Sequence, residues 1–402
     1  MNTLIKDFPI FASKLGKKLI YFDNAATTQK PLQVIEALSL FYAKQNAPIH
    51  RGLYKLAENA TALFEHARET IAVFIGASDP SEIIITKSAT ESINFITTAW
   101  GMESINAGDE IVLTELEHHA NLIPWQILAK KKNAKIKFIP IDLQGNLILD
   151  DLSSIITERT KIVAFTHTSN AIGTHVDAAK IIKQAQKVGA KTLIDACQSA
   201  PHQALNVREL GCDFLVFSAH KMLGPTGVGI LYIKQEVQHE VPPYQFGGGM
   251  IYEASYHDST FLKAPQCYES GTQPAAQVIA FAQALEYLNK NISFDALRTH
   301  QAALCSQLIE GFEKLNGFRV LGPVDQLKKQ GHLVSFVHDN YHAHDIAAHL
   351  DQFGICVRSG HFCAQPLANK LGIASAVRVS FYIYNSSDEV KSLLSALADI
   401  GY

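Results

Sequence analysis

Short apolar runs alternate with helical patterns along the first 290 residues of the chain. The segment 177–187 shows the helical step, because its apolar residues fall on one face and Gly189 follows as a stop signal. Strands that alternate with helices are typical of an α/β protein with a largely parallel sheet. Apolar runs without polar interruption indicate strands that are buried on both faces. The predicted strands are 83–86, 111–114, 136–140, 162–166, 192–195, 214–217 and 228–233.

The pattern changes after about residue 290, where a helical pattern at 296–315 precedes several short apolar runs. These runs predict strands at 318–321, 333–337, 355–358 and 377–381. We therefore predict a large domain over residues 21–290 and a smaller α+β domain over residues 291–402. We expect residues 1–20 to form an N-terminal segment that packs with the small domain.

The composition is that of a soluble globular protein, with 402 residues of which 47% are hydrophobic. The net charge is −3, and Lys and Arg form no cluster that could bind a phosphate backbone, which argues against a nucleic-acid partner. The first residues lack the apolar core of a signal peptide, and no stretch reaches the roughly 18 apolar residues of a membrane span. We expect a cytoplasmic protein without a membrane partner.

The six cysteines form neither a CxxC pair nor a zinc-like pattern. This spacing predicts neither disulfide bonds nor a structural metal in a reducing compartment. A single reactive thiol remains compatible with the pattern. The six positions are Cys197, Cys212, Cys267, Cys305, Cys356 and Cys363.

Polar residues follow the carboxyl ends of the predicted strands, where ligands bind in open α/β sheets. They are Ser88, Thr90, His118, Asn170, Asp195, Gln198, Ser218, His220 and Lys221. Taken singly, each has a structural explanation. Ser88 or Thr90 could cap a helix, a histidine could have satisfied hydrogen bonds, and Lys221 could reach water from a strand end.

Taken together, these residues fit an enzyme that uses pyridoxal phosphate. Lys221 would supply the amine that forms a Schiff base, and the Asp195 carboxylate would keep a pyridinium nitrogen protonated. Hydroxyl groups at a helix N-terminus would bind the phosphate.

Five motifs occur along the chain in the order "IHRGLYKLAENAT", "LEHHANLIPW", "LIDACQ", "FSAHKMLGPTGVG" and "RSGHFCAQP". Together they resemble the SufS/CsdA group of cysteine desulfurases, also called group II, in the class V aminotransferase-like family of fold-type I pyridoxal phosphate enzymes. The resemblance runs from about Phe22 to the C-terminus. It implies a large domain that binds the cofactor on a mostly parallel sheet, a smaller α+β domain that carries the catalytic cysteine loop, and a homodimer.

The resemblance implies three sets of site residues. The catalytic residues would be Lys221 as the Schiff-base lysine, Cys363 as the nucleophile and His118 as the group that stacks on the cofactor ring and relays protons. The residues that bind the cofactor would be Thr90, His118, Asn170, Asp195, Gln198, Ser218, His220 and Lys221, with Thr272 contributed by a second subunit. The residues that bind the substrate would be Arg378, Arg358, His50, Arg51 and His361. No metal ligand is expected.

Cys363 lies in the motif "RSGHFCAQP", in a loop that follows a predicted strand of the small domain. An arbitrary cysteine of a cytosolic protein is more often a buried, inert thiol. Arg358 and His361 lie close enough in sequence to favour a thiolate at Cys363. Three sites depart from the family pattern. At residues 88–91, "SATE" replaces the more familiar "GTTE", which keeps Thr90 but removes one neighbouring hydroxyl. Phe362 stands where a second histidine is usual, and Cys197 stands where a small residue is usual.

The resemblance implies a pyridoxal phosphate-dependent cysteine desulfurase, which converts L-cysteine to L-alanine and holds the sulfur as a persulfide on Cys363. The sulfur would pass to a SufE-like or SufU-like acceptor protein, for iron–sulfur clusters or other sulfur-containing biomolecules. The alternatives are a selenocysteine lyase that acts on L-selenocysteine, an aminotransferase of related fold, and a sulfur-carrier scaffold with a vestigial cofactor site. The segment 247–265 resembles a hairpin that reaches the neighbouring active site of the dimer, and an ordinary surface hairpin is the alternative.

Overall fold

A computed structural model describes residues 4–12 and 19–400 of the chain. Its strands are β1 (Ile20–Tyr21), β2 (Ile83–Thr86), β3 (Glu110–Thr114), β4 (Lys135–Ile139), β5 (Thr160–Thr166), β6 (Lys191–Asp195), β7 (Phe214–Ser218), β8 (Gly229–Ile233), β9 (Ile251–Ala254), β10 (Ser259–Phe261), β11 (Phe318–Leu321), β12 (Leu333–His338), β13 (Ile355–Cys356), β14 (Arg358–Gly360) and β15 (Ala376–Ser380). Its α-helices are α1 (Pro9–Ala12), α2 (Leu32–Leu40), α3 (Lys55–Ile75), α4 (Ala89–Ser104), α5 (Ile123–Lys132), α6 (Leu152–Ile155), α7 (Ala178–Lys187), α8 (Val207–Leu210), α9 (Ala275–Asn291), α10 (Phe294–Phe312), α11 (Val324–Gln330), α12 (Ala343–Asp351), α13 (Gln365–Lys370) and α14 (Ser387–Ala398).

A mixed sheet of seven strands forms the centre of the large domain, in the order β2, β8, β7, β6, β5, β3, β4. Strand β8 runs antiparallel to the other six strands, which are parallel to one another, so the predicted α/β fold with a largely parallel sheet is confirmed. The seven predicted strands are all present, and their bounds differ from the observed ones by at most two residues. The chain moves from β3 outward to β4 and from β5 outward to β6, so a ligand crevice is expected where β3 and β5 lie side by side.

Helices cover both faces of this sheet, which explains why its inner strands contain apolar runs without alternation. Along β5, Val163 and Phe165 belong to a core that also contains residues of α3, α7 and α9. The alternate positions Ile162 and Ala164 belong to a second core, on the side of α4 and α5. Because successive side chains of a strand point to opposite faces, both faces need apolar residues.

The small domain is a four-stranded antiparallel sheet in the order β11, β12, β15, β14, packed against α10, α12 and α14. The helix predicted at 296–315 corresponds to α10. The single strand predicted at 355–358 is wrong, because Val357 separates β13, which pairs with β1, from β14, which pairs with β15. The break depends on pairing with two distant segments, and a short apolar run contains no signal for it.

The described part of the N-terminal segment contacts both domains. β1 pairs in parallel with β13 of the small domain, and Phe22 is fully buried in the small-domain core. Phe8 packs against Tyr287 of α9 and against Tyr384, with ring centroids 6.2 and 4.8 Å away. Residues 1–3 and 13–18, on which part of the domain prediction rests, lie outside the described residues. The proposed domain bounds remain a prediction.

Strands β9 and β10 form a separate antiparallel hairpin within the segment 247–265, as predicted. Its aromatic side chains Tyr252, Tyr256 and Phe261 are exposed. Across residues 4–12 and 19–400, no helix has the length and apolar character needed to span a bilayer. In the same part of the chain, no group of three or more His, Cys, Asp or Glu side chains is arranged to hold a metal ion.

Candidate active site

A cavity of about 540 Å³ lies at the carboxyl ends of the central strands, where the large domain meets a loop of the small domain. Twelve of the fifteen predicted site residues line it, namely Thr90, His118, Asn170, Asp195, Gln198, Ser218, His220, Lys221, Arg358, His361, Cys363 and Arg378. His50, Arg51 and Thr272 do not. The large and small domains both contribute, so the cavity forms only when they are packed together.

Two neighbouring parallel strands, β6 and β7, position the Asp195 carboxylate and the Lys221 amine at this cavity. β6 ends at Asp195, whose buried carboxylate accepts a hydrogen bond of 3.0 Å from the Cys197 amide. β7 ends at Ser218, whose Oγ accepts a hydrogen bond of 2.9 Å from the Ala89 amide at the start of α4. A short 3₁₀ turn, Ala219–Lys221, follows β7 and brings Lys221 to the cavity wall.

The N-terminus of α4, a helix of 16 residues, opens onto the cavity. Ser88 caps the helix by accepting a hydrogen bond of 3.3 Å from the Glu91 amide, whereas the Thr90 side chain is exposed. Gly229 of β8 passes directly behind this turn, and a Cβ there would lie 2.3 Å from the Ser88 carbonyl carbon. The unpaired amides of a helix N-terminus bind anions, so this end of the cavity suits a phosphate.

His118 follows β3 and is neutral in this environment. Its Nδ1 accepts a hydrogen bond of 3.0 Å from the Ala120 amide, so the ring proton lies on Nε2. Burial, together with the neighbouring Lys221, lowers the pKa of His118 to about 4. In the preceding position, burial raises the pKa of Glu117 to about 8, although Thr114, Asn121 and Thr166 donate hydrogen bonds to its carboxylate.

The loop that carries Cys363 spans residues 361–364, between β14 and α13. Asn170 Nδ2 donates a hydrogen bond of 2.6 Å to the Phe362 carbonyl, and the His119 amide donates one of 2.7 Å to the Cys363 carbonyl. The Gln365 amide donates to His119 Nε2 at 3.1 Å. Cys363 is the exposed cysteine of the chain, and these contacts hold its backbone against the large domain.

Arg378 of β15 is almost fully buried at the small-domain side of the cavity. Its Nη1 donates to the Asn170 carbonyl at 2.8 Å, and its Nη2 lies 3.2 Å from Asp23 Oδ1. Its Nε has no hydrogen-bond partner among the described residues. The Phe362 ring lies 4.9 Å from the guanidinium carbon. Phe362 therefore serves as an aromatic face for Arg378, a role that the usual histidine would fill less well.

Asp23 is a site residue that the sequence did not reveal. It is shared by two arginines, since Arg358 Nη1 lies 3.8 Å from its second oxygen. Burial raises the pKa of Asp23, while Arg378 and Arg358 oppose this rise. The only signal was a polar Asp23-Asn24 pair directly after the apolar residues 20–22, and nothing in it points to arginines more than 300 positions away.

Gln198 was predicted as a cofactor contact, and both ends of its amide are engaged by the protein. Its Nε2 donates to the Ala25 carbonyl at 2.8 Å, and its Oε1 lies 3.3 Å from His332 Nε2. His332 stacks on His202 with ring centroids 3.8 Å apart. The two histidines were not singled out by sequence reasoning, because neither lies at a strand end of the central sheet.

The three predicted residues outside the cavity lie at the surface of the same chain. His50 does not complete the pocket of its own chain, because its Nε2 is held 2.8 Å from Glu65 of α3, and Arg51 is exposed beside it. Thr272 is also exposed. A network of ion pairs connects the two segments, with Arg68 lying 3.0 Å from Glu65 and 2.7 Å from Glu269, near Thr272.

The remaining cysteines are shielded from solvent to different degrees. Cys197, Cys212, Cys267 and Cys305 are buried, and Cys356 is half-buried. Burial raises the pKa of Cys212 to about 12 and that of Cys267 to about 11, which disfavours the reactive thiolate.

A sheet with its cavity at the strand ends, closed by a loop of a smaller domain, defines the class of this protein as a fold-type I α/β transferase. The chain belongs to the aminotransferase class-V family, whose family model matches residues 20–393. The resemblance inferred from the motifs is therefore confirmed.

Several relatives resemble the chain over nearly its whole length. A probable cysteine desulfurase of Streptomyces coelicolor is 42% identical over 401 residues, which are 98% of this chain and 96% of that protein. One of Staphylococcus epidermidis is 44% identical over 398 residues, 99% of this chain and 96% of that protein. Among solved structures, the apo cysteine desulfurase of Thermococcus onnurineus NA1 superposes with a TM-score of 0.94 at 38% identity, covering 99% of this chain and 97% of that one. The cysteine desulfurase CsdA of Escherichia coli superposes with a TM-score of 0.89 at 34% identity, covering 98% and 96%.

Proposed function

We infer that the protein is a pyridoxal phosphate-dependent cysteine desulfurase, which converts L-cysteine to L-alanine and holds the sulfur as a persulfide on Cys363. The observation that carries this inference is that Lys221 and Cys363, from different domains, line one cavity. The similarity to cysteine desulfurases over nearly the whole chain supports it. The selenocysteine lyase alternative is not favoured, because these relatives are described as cysteine desulfurases.

The residues around the cavity fit pyridoxal phosphate. The volume of about 540 Å³ lies in the range of cofactor and ligand pockets. Lys221 suits the cofactor aldehyde, the buried Asp195 carboxylate suits a protonated ring nitrogen, and the N-terminus of α4 with Thr90 and Ser218 suits the phosphate. The unpaired Nε of Arg378 is a buried donor that suits the carboxylate of an amino acid.

Bound pyridoxal phosphate supplies an electron sink for the bonds at the α-carbon of an amino acid. Lys221 would hold the cofactor and move the α-proton of the substrate. His118 would donate a hydrogen bond from Nε2, because its Nδ1 is occupied by the Ala120 amide and its pKa is about 4. Arg378 would fix the substrate carboxylate, with Asp23 and Phe362 holding its guanidinium in place.

Cys363 would attack the sulfur of bound L-cysteine. The bond between the substrate β-carbon and its sulfur breaks, and a sulfur–sulfur bond forms at Cys363. The β-carbon takes up a proton in place of the sulfur, so L-cysteine and the Cys363 thiol become L-alanine and a Cys363 persulfide. The step needs no external oxidant or reductant.

The decisive test replaces the nucleophile. Cys363→Ala should keep the absorbance of the bound cofactor and the spectral response to L-cysteine, and lose at least about 100-fold in alanine formation, since the acceptor thiol is missing. Cys356→Ala, at the half-buried cysteine of β13, is the matched control and should keep its activity. Normal desulfuration by Cys363→Ala would show that another residue is the nucleophile. A wild-type protein that does not bind pyridoxal phosphate would refute the proposed enzyme function.

We propose that the protein acts as a homodimer with shared sites. His50, Arg51 and Thr272 are exposed outside the cavity of their own chain, which leaves them available to a second copy. An apolar groove of about 420 Å³ between α4 and α5 adjoins the cavity at Thr90 and offers a complementary surface. The hairpin β9–β10 of one subunit, with its exposed Tyr252, Tyr256 and Phe261, would cover this groove of the other subunit.

We further propose that a SufE-like or SufU-like protein accepts the sulfur, for iron–sulfur clusters or other sulfur-containing biomolecules. The support is that the short loop around Cys363 is held against the large domain, so an acceptor thiol must enter the site. An acceptor should leave single-turnover alanine formation unchanged and accelerate multiple turnover at limiting reductant. Equal steady-state rates with and without every such acceptor would favour a self-sufficient enzyme. A cytoplasmic location belongs to the same proposal and is supported by the six free cysteines.

A further inference from the structure

The loop that carries Cys363 adopts a backbone conformation that needs outside support. Phe362 and Cys363 have φ angles of 54° and 55°, in the left-handed region that residues other than glycine rarely occupy. Two such residues in succession persist only where the surrounding structure holds them. Within the loop, one backbone hydrogen bond supports this conformation, from the Ala364 amide to the His361 carbonyl at 2.9 Å.

His119 is a large-domain residue that contacts both this loop and the first residue of α13. Its backbone amide donates to the Cys363 carbonyl at 2.7 Å, and its Nε2 accepts from the Gln365 amide at 3.1 Å. The two contacts hold the chain immediately after the nucleophile. Asn170 holds the preceding peptide through the Phe362 carbonyl, so Cys363 is fixed from both sides.

The ring of His119 is in the form that this contact requires. A nitrogen that accepts a hydrogen bond from an amide carries no proton, so the neutral ring has its proton on Nδ1. Burial, together with the neighbouring His361, lowers the pKa of His119 and favours this neutral form. His119 also directly follows His118, so a single turn of the chain contacts both the cavity and the thiol loop.

We propose that His119 is a positioning residue that holds the Cys363 loop in its left-handed conformation and so places the thiol at the cavity. The proposal rests on the desulfurase function and deepens it, because it concerns only sulfur transfer to Cys363. Without the imidazole, the Gln365 amide loses its acceptor and the strained loop relaxes. The loop also affects substrate binding, because Phe362 contacts the Arg378 guanidinium, whereas removal of the α-proton depends on Lys221 of the large domain.

The test compares His119→Leu with His119→Gln in the holoenzyme. Leucine cannot accept a hydrogen bond from Gln365, whereas the glutamine Oε1 can replace the imidazole nitrogen. We expect His119→Leu to slow single-turnover alanine formation by about 100-fold, the effect of a misplaced reacting group. At saturating L-cysteine, where weaker substrate binding is compensated, the spectral change should keep its rate. His119→Gln should return alanine formation to within about threefold of wild type, because the hydrogen bond is restored.

Hydrogen exchange of the Gln365 amide reports the contact independently of activity. Its protection should be lost in His119→Leu, and kept in His119→Gln and in His66→Leu, a control at an exposed histidine of α3. A wild-type single-turnover rate in His119→Leu would overturn the proposal, as would an unprotected Gln365 amide in the wild type. A wild type that protects Gln365 and forms no alanine would refute the desulfurase function and leave the contact in place.

A second variant removes the same hydrogen bond by changing its donor, the Gln365 amide. Gln365→Pro lacks the donor, and proline is well accepted as the first residue of a helix such as α13. It should reproduce the defect of His119→Leu, and it measures the contact even if the leucine variant does not fold. The double variant should be no slower than either single one. Additive defects would show that the two residues act separately and would overturn the proposal.

Discussion

Two neutral histidines support the back of the cavity. His202 and His332 stack at 3.8 Å between ring centroids, and His332 contacts Gln198, which lines the cavity. His202 Nδ1 accepts a hydrogen bond of 3.0 Å from Gln301 Nε2, which keeps that nitrogen unprotonated. Burial lowers the pKa of His202 to about 3 and that of His332 well below 6.5. Protonation of either ring would place an unpaired charge in the protein interior.

This pair should make folding stability depend on pH. In the unfolded chain both rings titrate near pH 6.5. Below this pH the unfolded state therefore binds protons that the folded state does not bind. The free energy of unfolding should therefore fall as the pH drops from about 6.5 towards the folded pKa of His202, about 3, by up to about 1.4 kcal/mol per pH unit for each ring. Urea unfolding at several pH values measures this slope.

The matched variants keep the hydrogen bonds and remove the titration. His202→Asn can still accept from Gln301, and His332→Gln can still donate to Gln198. The double variant should flatten the slope, whereas His66→Gln, at an exposed ring, should leave it unchanged. An unchanged slope in the double variant would mean that other groups carry the acid sensitivity.

Individual residues of the site were predictable when the central sheet alone determined their position. Asp195 ends β6 and Lys221 follows the neighbouring parallel strand β7, and parallel strands bring their carboxyl ends to one edge. Asp23, His119 and His332 were missed for a common reason. Each acts through a segment that lies far away in sequence, and their contacts depend on how the two domains pack together.

At the scale of elements, the start of α4 depends on a residue of a neighbouring strand. Gly229 leaves room for the Ser88 backbone, which a Cβ would approach to 2.3 Å. Gly229→Ala should displace the N-terminus of α4, because a backbone cannot move aside as a side chain can. We expect the affinity for pyridoxal phosphate to fall about tenfold or more, measured by absorbance titration of the apoenzyme.

A control within the same helix separates this effect from general crowding. At Gly101 a Cβ would meet the end of the Leu128 side chain, which is flexible. Gly101→Ala should therefore leave cofactor affinity near the wild-type value. Equal affinities for the Gly229→Ala and wild-type proteins would show that the helix start does not contribute to cofactor binding.

Elements were predicted well where local pattern and tertiary environment agree. α7 was predictable because its apolar face, its Asp177 cap and the stop at Gly189 all lie within one short segment. The division between β13 and β14 was not, since it arises from pairing with β1 on one side and β15 on the other. Local patterns contain propensity and periodicity, whereas strand partners are a property of the whole chain.

At the scale of the whole molecule, the shared-site dimer can be tested with two defective chains. Lys221→Ala removes the cavity amine of its own chain, and Thr272→Ala removes a group proposed to act in the partner. When the two variants are mixed in equal amounts and exchange subunits, half of the dimers are heterodimers. In each heterodimer, one of the two sites combines an intact Lys221 with an intact Thr272. The mixture should therefore recover about one quarter of the wild-type activity per site.

The control mixes Lys221→Ala with Asp195→Ala. Both residues line the cavity of the same chain, so no heterodimer contains an intact site and activity should stay lost. A Thr272→Ala mixture without recovery, or a fully active monomer in sedimentation experiments, would reject the shared site.

The pairing of β1 with β13 also orders events during synthesis of the chain. Residues 20–24 are made more than 300 residues before their partners, which are β13, Ser380 and Asn385. Strands β2 to β8 can assemble as they emerge from the ribosome, whereas Phe22 is buried in its core only after the small domain has been made. The strands whose ends line the cavity are therefore made before the small-domain loop that brings the Cys363 thiol to it.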